Sequence, residues 1–142
     1  MLYLGADHAG FDLKEFIAHK LASRGITFED FGTFNPDQND SFTAYARQVA
    51  KAVVRKDGRG ILICGTGVGM GIAANRYKGI RAGVAWNDEV VRRAREEDDI
   101  NILCLPSRII SEEQAWSIVS AFLSTTFTHL DRYKRRLAQI DK

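Results

Sequence analysis

The chain has 142 residues, of which 45% are apolar and 27% charged, and 20 basic against 18 acidic side chains give a formal net charge of +2. A chain of this length can bury roughly 68–70% of its unfolded surface, enough for one core without metal or disulfide cross-links. The small charge surplus does not favour nucleic acid as a partner, and no apolar run approaches the ~18 residues that would span a membrane. We therefore expect one cytoplasmic domain over residues 1–142.

Five short apolar runs alternate with longer segments of helical periodicity, and this alternation predicts the fold class. The runs, which we predict to be strands, cover residues 2–6, 26–31, 60–64, 80–85 and 102–105. A regular alternation of strand and helix is typical of a parallel sheet with helices on both faces. We expect a three-layer α/β/α fold with a five-stranded parallel sheet and a C-terminal helix.

Apolar residues at helical spacing predict six helices between and after these strands. Leu13, Ile17 and Leu21 define the first helix, which stops near Gly25. The others lie around residues 46–53, at 68–77, from about 88 to 98, around 115–122 and from 130 to the end of the chain. Ligands of such folds bind beyond the carboxyl ends of the strands. The candidate loops are therefore residues 6–10, residues 65–69 and the region around Arg108.

Residues 64–69 read Cys-Gly-Thr-Gly-Val-Gly and connect the third strand to the third helix. The glycines let the backbone approach a ligand and turn several amide groups toward an anion. The positive end of the helix would stabilise a thiolate, which makes Cys64 a candidate base or nucleophile. Thr66 is placed to offer its hydroxyl to this thiol or to a ligand. Alternatively, Cys64 only packs at a strand end, as we expect of Cys104 between two leucines.

Residues 7–10 read Asp-His-Ala-Gly where the first strand ends. Asp7 can cap the helix that follows, which is a common structural role for aspartate. His8 has no such structural explanation, and a histidine that titrates near neutral pH can bind a phosphate or move a proton. We expect surface or packing roles for His19 and His129.

Arg132 and Arg136 lie four residues apart and therefore share one face of the terminal helix. Paired guanidinium groups suit a phosphate dianion, and Arg108 after the fifth strand could add a further donor. The alternative is a solvated basic face, which we favour for Lys134 and Arg135.

Residues 96–99 are four consecutive acids at the expected C-terminal end of the fourth helix, where they oppose the helix dipole. Arg92, Arg93 and Arg95 lie one turn earlier and can pair with them. If the acids pair with these arginines, the acidic cluster has a structural role. If they do not, the cluster faces the ligand.

Four segments together resemble the ribose-5-phosphate isomerase B family, whose relatives include galactose-6-phosphate isomerase. They are Gly-Ala-Asp-His-Ala-Gly at 5–10, Cys-Gly-Thr-Gly-Val-Gly at 64–69, Gly-Ile-Arg-Ala at 79–82 and Asn-Ile-Leu-Cys-Leu at 101–105. The segments come in the family's order and span nearly the whole chain. The resemblance implies a Rossmann-like fold and an aldose–ketose isomerase of a phosphorylated sugar without metal or cofactor. It also implies a homodimer or tetramer with active sites between subunits.

The resemblance assigns roles to individual residues. Cys64 is implied as the base that moves a proton between C1 and C2, with Thr66 as its supporting hydroxyl. Asp7 would contact sugar hydroxyls or transfer protons to the sugar oxygens. The implied binding residues are the backbone amides of Gly65, Gly67, Val68 and Gly69 for the enediolate, and the side chains of His8, Arg108, Arg132 and Arg136 for the phosphate. Arg108 and the two tail arginines are expected from across the subunit interface.

Three departures from the family pattern concern the same site. Where the family has His-Asn before Asn101, with the histidine opening the sugar ring, this chain has Glu97 and Asp98. We assign Glu97 to catalysis and Asp98 to substrate binding. The family's Asp-Tyr-Pro is replaced by Ser-Phe-Thr at 41–43, whereas Tyr45 matches the next aromatic position and is expected to contact the sugar. Tyr133 stands where the family has a histidine.

Four functional hypotheses follow. The first is an isomerase whose preferred sugar phosphate differs from ribose 5-phosphate, and the second is a slow ribose 5-phosphate isomerase that depends on spontaneous ring opening. The third is a noncatalytic sugar-phosphate-binding module. The fourth, a nucleotide-binding domain, is disfavoured because no acidic ribose anchor follows at the expected spacing.

Overall fold

The computed structural model describes residues 1–140, in which five parallel strands form one sheet in the order β2-β1-β3-β5-β4. The strands are β1 (Leu2–Ala6), β2 (Phe28–Asp30), β3 (Arg59–Cys64), β4 (Ala82–Val84) and β5 (Ile102–Pro106). The helices are α1 (Phe11–Ser23), α2 (Phe42–Lys56), α3 (Val68–Ala74), α4 (Asp88–Asp98), α5 (Glu112–Ser124) and α6 (Asp131–Ile140), and a 3₁₀ turn (His8–Gly10) precedes α1. The expected parallel sheet and C-terminal helix are confirmed.

Position in the sheet explains the composition of the strands. β1, β3 and β5 are central, and β1 and β5 are buried along their whole length. Strands covered on both faces read as continuous apolar runs, as these do. β2 and β4 form the two edges, are partly exposed and pair over only three residues each. Both are shorter than the apolar runs 26–31 and 80–85 that predicted them.

Helices cover both faces of the sheet, which confirms the three-layer architecture. Leu13, Ile17 and Leu21 of α1 pack in one core with α4 and α5. The second core lies on the other face, beneath α2 and α3, and contains both Cys64 and Cys104. Each fully buried Leu or Ile in these cores contributes about 1.5–3 kcal/mol through removal of apolar surface from water. Cys104 is fully buried, as predicted, and burial raises the pKa of its thiol.

The layering determines where a ligand can bind. α1 lies on one face of the sheet and α3 on the other, although β1 and β3 are neighbours. The chain thus changes direction between these two strands, and a crevice opens between the loops at their carboxyl ends. α6 lies outside the layers and has no buried residue. No helix within residues 1–140 is long and apolar enough to cross a membrane.

Candidate active site

Cys64 ends β3 inside the glycine-rich loop, and its side chain is almost fully buried. Its Sγ accepts a hydrogen bond from the Gly67 amide at 3.2 Å. Gly67 has a φ of +75°, a left-handed conformation that a residue with a Cβ adopts at a cost. The Thr66 hydroxyl accepts from the Val68 amide at 3.3 Å, and no hydrogen bond joins it to the thiol. The loop therefore turns a backbone donor toward the sulfur, as an anion nest does.

Arg108 belongs to the same loop cluster in its own chain. The Arg108 amide donates to the Gly65 carbonyl at 3.0 Å, because the turns after β3 and β5 are adjacent. Its guanidinium lies over Gly65 so closely that a Cβ there would meet Nη1 at 2.8 Å. The resemblance expects Arg108 from across a subunit interface; the structure corrects this, since the guanidinium lies beside the glycine loop of its own chain.

Asp7 and His8 lie on the other side of the crevice. Asp7 is buried, and its Oδ1 accepts from the Gly10 amide at 3.1 Å, so it caps the turn that leads into α1. The His8 Nδ1 is 2.8 Å from Oδ1 of Asp40, a residue that sequence reasoning missed. The three side chains offer polar atoms within 4.8 Å of one another, a spacing that a cation could bridge. However, one oxygen of each carboxylate already accepts a hydrogen bond from the protein.

Aromatic side chains from α2 border the crevice. The Phe42 ring lies against Gly69, where a Cβ would meet it at 3.1 Å. Tyr45 lies between Gly5 of β1 and Gly32 of the segment after β2. Tyr45 thus contacts the backbone around the Asp7 loop, near the position expected for sugar binding. Phe42 was noted only as a departure from the family, and its contact with Gly69 depends on the packing of α2 against α3.

Glu97 and Asp98 lie far from Cys64 within one chain. They end α4, which begins beyond the carboxyl end of β4 and returns to the amino end of β5. The 11 residues of α4 span roughly 16 Å. Arg93 pairs with Glu97 at 3.3 Å, and Arg95 pairs with Asp99 at 2.8 Å, as the structural interpretation of the acidic cluster predicts. Sequence reasoning assigned Glu97 to the same site as Cys64, but one chain does not bring them together.

The tail arginines, Arg132 and Arg136, belong with Glu97 and Asp98 and not with Cys64. Burial, followed by the negative charge of Glu97, raises the pKa of Asp98, whereas the positive charge of Arg136 lowers it. The Arg132 guanidinium lies 4.7 Å from the Tyr133 ring centre, and the Arg136 guanidinium lies 5.9 Å from it. Two half-sites result. The thiol half-site comprises Asp7, His8, Tyr45, Cys64, residues 65–69 and Arg108, and the tail half-site comprises Glu97, Asp98, Arg132 and Arg136.

A groove of about 810 Å³ runs beside the edge strand β4. Val84, Val90, Ala94, Ile100 and Ile140 contribute its apolar lining, and Asp98 lies at its border. The groove therefore connects the sheet edge with the tail half-site and does not include Cys64. His19 and His129 are exposed, consistent with surface roles.

A parallel α/β sheet with a glycine-rich loop at the change of strand order is typical of proteins that bind small ligands beyond the carboxyl ends of their strands. The chain belongs to the ribose/galactose isomerase family, whose model matches residues 2–140. It is 42% identical over 138 residues to ribose-5-phosphate isomerase B of Escherichia coli, covering 96% of this chain and 91% of that protein. The family resemblance of the four sequence motifs is thereby confirmed.

Solved structures of related proteins superpose on nearly the whole fold of this chain. Ribose 5-phosphate isomerase B of Thermotoga maritima superposes with a TM-score of 0.94 at 42% identity, covering 99% of this chain and 96% of that one. Ribose-5-phosphate isomerase B of Mycoplasma genitalium with bound ribulose-5-phosphate superposes with a TM-score of 0.93 at 35% identity, covering 98% and 92%.

Proposed function

We propose that this chain interconverts a phosphorylated aldose and its ketose, with ribose 5-phosphate and ribulose 5-phosphate as the reference pair. The observation that carries the proposal is the Cys64 thiol in the glycine loop, with its sulfur 3.2 Å from the Gly67 amide nitrogen. Membership of the ribose/galactose isomerase family supports the same reaction class. A relative from Mycoplasma genitalium was solved with ribulose-5-phosphate bound.

The chemistry needs one base and one anion site. The Cys64 thiolate removes the proton from C2 of the open-chain aldose, and the electron pair moves to the C1 carbonyl oxygen to form an enediolate. Amides of residues 65–69 other than those of Gly67 and Val68, which already donate to the Cys64 sulfur and the Thr66 hydroxyl, stabilise that oxyanion by preorganised hydrogen bonding. Return of the proton to C1, with transfer of the O2 proton to O1 assisted by Asp7, yields the ketose. No metal or cofactor is needed for this proton transfer.

A second copy of the chain completes the site in this proposal. The thiol half-site lacks the tail arginines expected to bind phosphate, and the tail half-site lacks the thiol proposed as the base. In one chain the thiol half-site lies at the carboxyl ends of the strands and the tail half-site towards their amino ends, so a symmetric dimer or tetramer would join one half-site from each of two subunits. Arg108 and His8 would then meet the phosphate from one chain, and Arg132 and Arg136 from the other.

Glu97 and Asp98 are the substitutions most relevant to substrate preference. They add negative charge where the family has His-Asn, and the charge of Glu97 already contributes to the raised pKa of Asp98. We infer that isomerisation is retained while the preferred sugar, or the need for ring opening, differs from the family pattern. We also propose that the chain is a single isomerase domain of the cytoplasm.

The proposal is tested by incubating the protein in D₂O with ribose 5-phosphate, allose 6-phosphate and other pentose and hexose phosphates. NMR would follow C2 deuteration and ketose formation. Exchange with one sugar would support the enediolate mechanism and identify the substrate. Saturable binding without exchange of any sugar would contradict it and favour the noncatalytic binding module.

A further inference from the structure

Asp40 is a largely buried carboxylate that the proposed mechanism does not use. Its side chain is only 11% exposed, and its Oδ1 lies 2.8 Å from Nδ1 of His8. Its second oxygen, Oδ2, is buried without a hydrogen-bond partner among the described residues. A carboxylate loses hydration in such a place, so it requires a compensating contact. His8 supplies that contact.

The local backbone holds Asp40 in position. Its amide donates to the Asp37 carbonyl at 2.9 Å, which closes a turn just before α2. Phe42, two residues later, packs against Gly69 of the thiol half-site. Asp40 therefore lies between a closed turn and an anchored helix start, which limits its movement relative to His8.

The contact determines how the imidazole is presented. A carboxylate accepts a hydrogen bond, so Nδ1 carries the hydrogen and Nε2 is left on the opposite side of the ring. His8 is 29% exposed, which leaves it accessible to a ligand in the crevice. In the imidazolium form, Nδ1–H is donated to Asp40 and Nε2–H remains for an anion. Asp40 rather than Asp7 bonds to the ring, and Asp7 Oδ1 accepts from the Gly10 amide.

We infer that Asp40 is a positioning residue for the phosphate of the substrate: it holds the His8 ring so that Nε2 faces the bound phosphate. The inference rests on the proposed role of His8 in phosphate binding. Asp40 acts through His8 and has no contact of its own with the reacting carbons. Its loss should therefore weaken binding of the phosphate and leave the proton-transfer step nearly unchanged.

The test compares Asp40→Ala with Asp37→Asn, a matched control in the same turn that lies on the exposed side of the segment. The measurements are kcat and KM for the aldose phosphate that exchanges in D₂O, and direct calorimetric binding of inorganic phosphate. We expect Asp40→Ala to raise KM and to weaken phosphate binding, each by about tenfold, the size of one charge-assisted hydrogen bond. The value of kcat should stay within about twofold of the wild type. Asp37→Asn should match the wild type. Asp40→Asn, which still accepts from Nδ1, should recover part of the loss.

A double-mutant cycle distinguishes positioning from a general structural effect. In a His8→Asn background, Asp40→Ala should weaken phosphate binding no further. If Asp40→Ala weakened phosphate binding equally in the wild-type and His8→Asn backgrounds, the inference would be overturned. It would also be overturned if Asp40→Ala bound phosphate as the wild type does while His8→Asn alone was impaired. If His8→Asn itself binds phosphate normally, the proposed phosphate role of His8 fails and this inference fails with it. The calorimetric readout does not depend on isomerase activity.

Discussion

At the scale of one residue, position in the fold distinguishes the two cysteines of this chain. The Cys64 sulfur lies at the end of a buried strand and accepts a hydrogen bond from an amide of the following loop. Cys104 lies on the neighbouring strand in the same core, yet it is fully buried and burial raises its pKa. The loop, more than the residue type, therefore distinguishes Cys64, the proposed base, from Cys104 in the core.

Cys64→Ala should lower kcat by about 10²–10⁴-fold, the usual contribution of a positioned base, and leave substrate affinity nearly unchanged. Steady-state kinetics and calorimetric binding of the sugar phosphate measure the two effects separately. Cys104→Ala is the matched control: it should lower the midpoint of thermal unfolding by removing buried atoms, but keep kcat in the folded protein. Full activity of Cys64→Ala would exclude this cysteine as the base.

Glu97→His tests the residue that replaces the family's ring-opening histidine. If Glu97 contributes to the same site, the substitution should increase kcat on ribose 5-phosphate several-fold, because imidazole transfers protons efficiently near neutral pH. Glu89→His, on the same helix and also near Arg93, serves as the control and should leave kcat unchanged. Equal kinetics of Glu97→His and the wild type would place the acidic cluster outside the site.

At the scale of elements, the contact between the 3₁₀ turn and β3 positions the thiol half-site. Gly10 packs against the backbone of Ile63, where a Cβ would lie 2.4 Å from the carbonyl oxygen. Ile63 directly precedes Cys64, and the Ser107 hydroxyl donates to the Ala9 carbonyl at 2.7 Å. The loops after β1, β3 and β5 are thus tied together by close backbone contacts.

Gly10→Ala should lower the free energy of unfolding by about 1–3 kcal/mol, because a rigid backbone on both sides cannot accommodate the added methyl group. Gly71→Ala is the matched control within α3: its Cβ would meet no atom closer than 3.7 Å. Alanine is a better helix former than glycine, so Gly71→Ala should be neutral or stabilising by up to about 1 kcal/mol. Urea denaturation of both variants measures the difference, and similar destabilisation by both would contradict the packing argument.

At the scale of the whole molecule, the separation of the two half-sites is the central property. Within one subunit, α4 carries Glu97 and Asp98 away from the carboxyl edge of the sheet where Cys64 lies. α6 buries none of its residues in its own chain, although Tyr133, Leu137 and Ile140 are spaced for one face. An apolar stripe on a helix packs against another element, and the proposed second copy would supply one for α6.

Complementation tests whether two subunits share each site. Cys64→Ala and Arg136→Ala should each be impaired alone, whereas a 1:1 mixture of refolded or co-expressed chains should recover about a quarter of the wild-type activity. Half of the randomly formed dimers are mixed, and each mixed dimer has one intact site out of two. Cys64→Ala mixed with Arg135→Ala controls for general effects of the tail helix. No recovery above the two parents would mean that each chain builds its site alone.

The sequence alone determined the alternation of strands and helices, the buried central strands and the glycine-rich turn after Cys64. These are local properties, because apolar periodicity, glycine content and the residue order at a strand end act over a few neighbours. The ends of the edge strands β2 and β4 were less well predicted, since an edge strand extends only as far as its single neighbour pairs with it.

Only the tertiary structure decided which predicted site residues meet. Asp40 contacts His8 across 32 positions of sequence, and Phe42 reaches Gly69 because α2 packs against α3. Arg108 lies over Gly65 because β5 is paired with β3, whereas Glu97 lies at the far end of α4 from Cys64. Such contacts depend on strand order and helix packing, which arise from burial of surface across the whole molecule and not from any short segment.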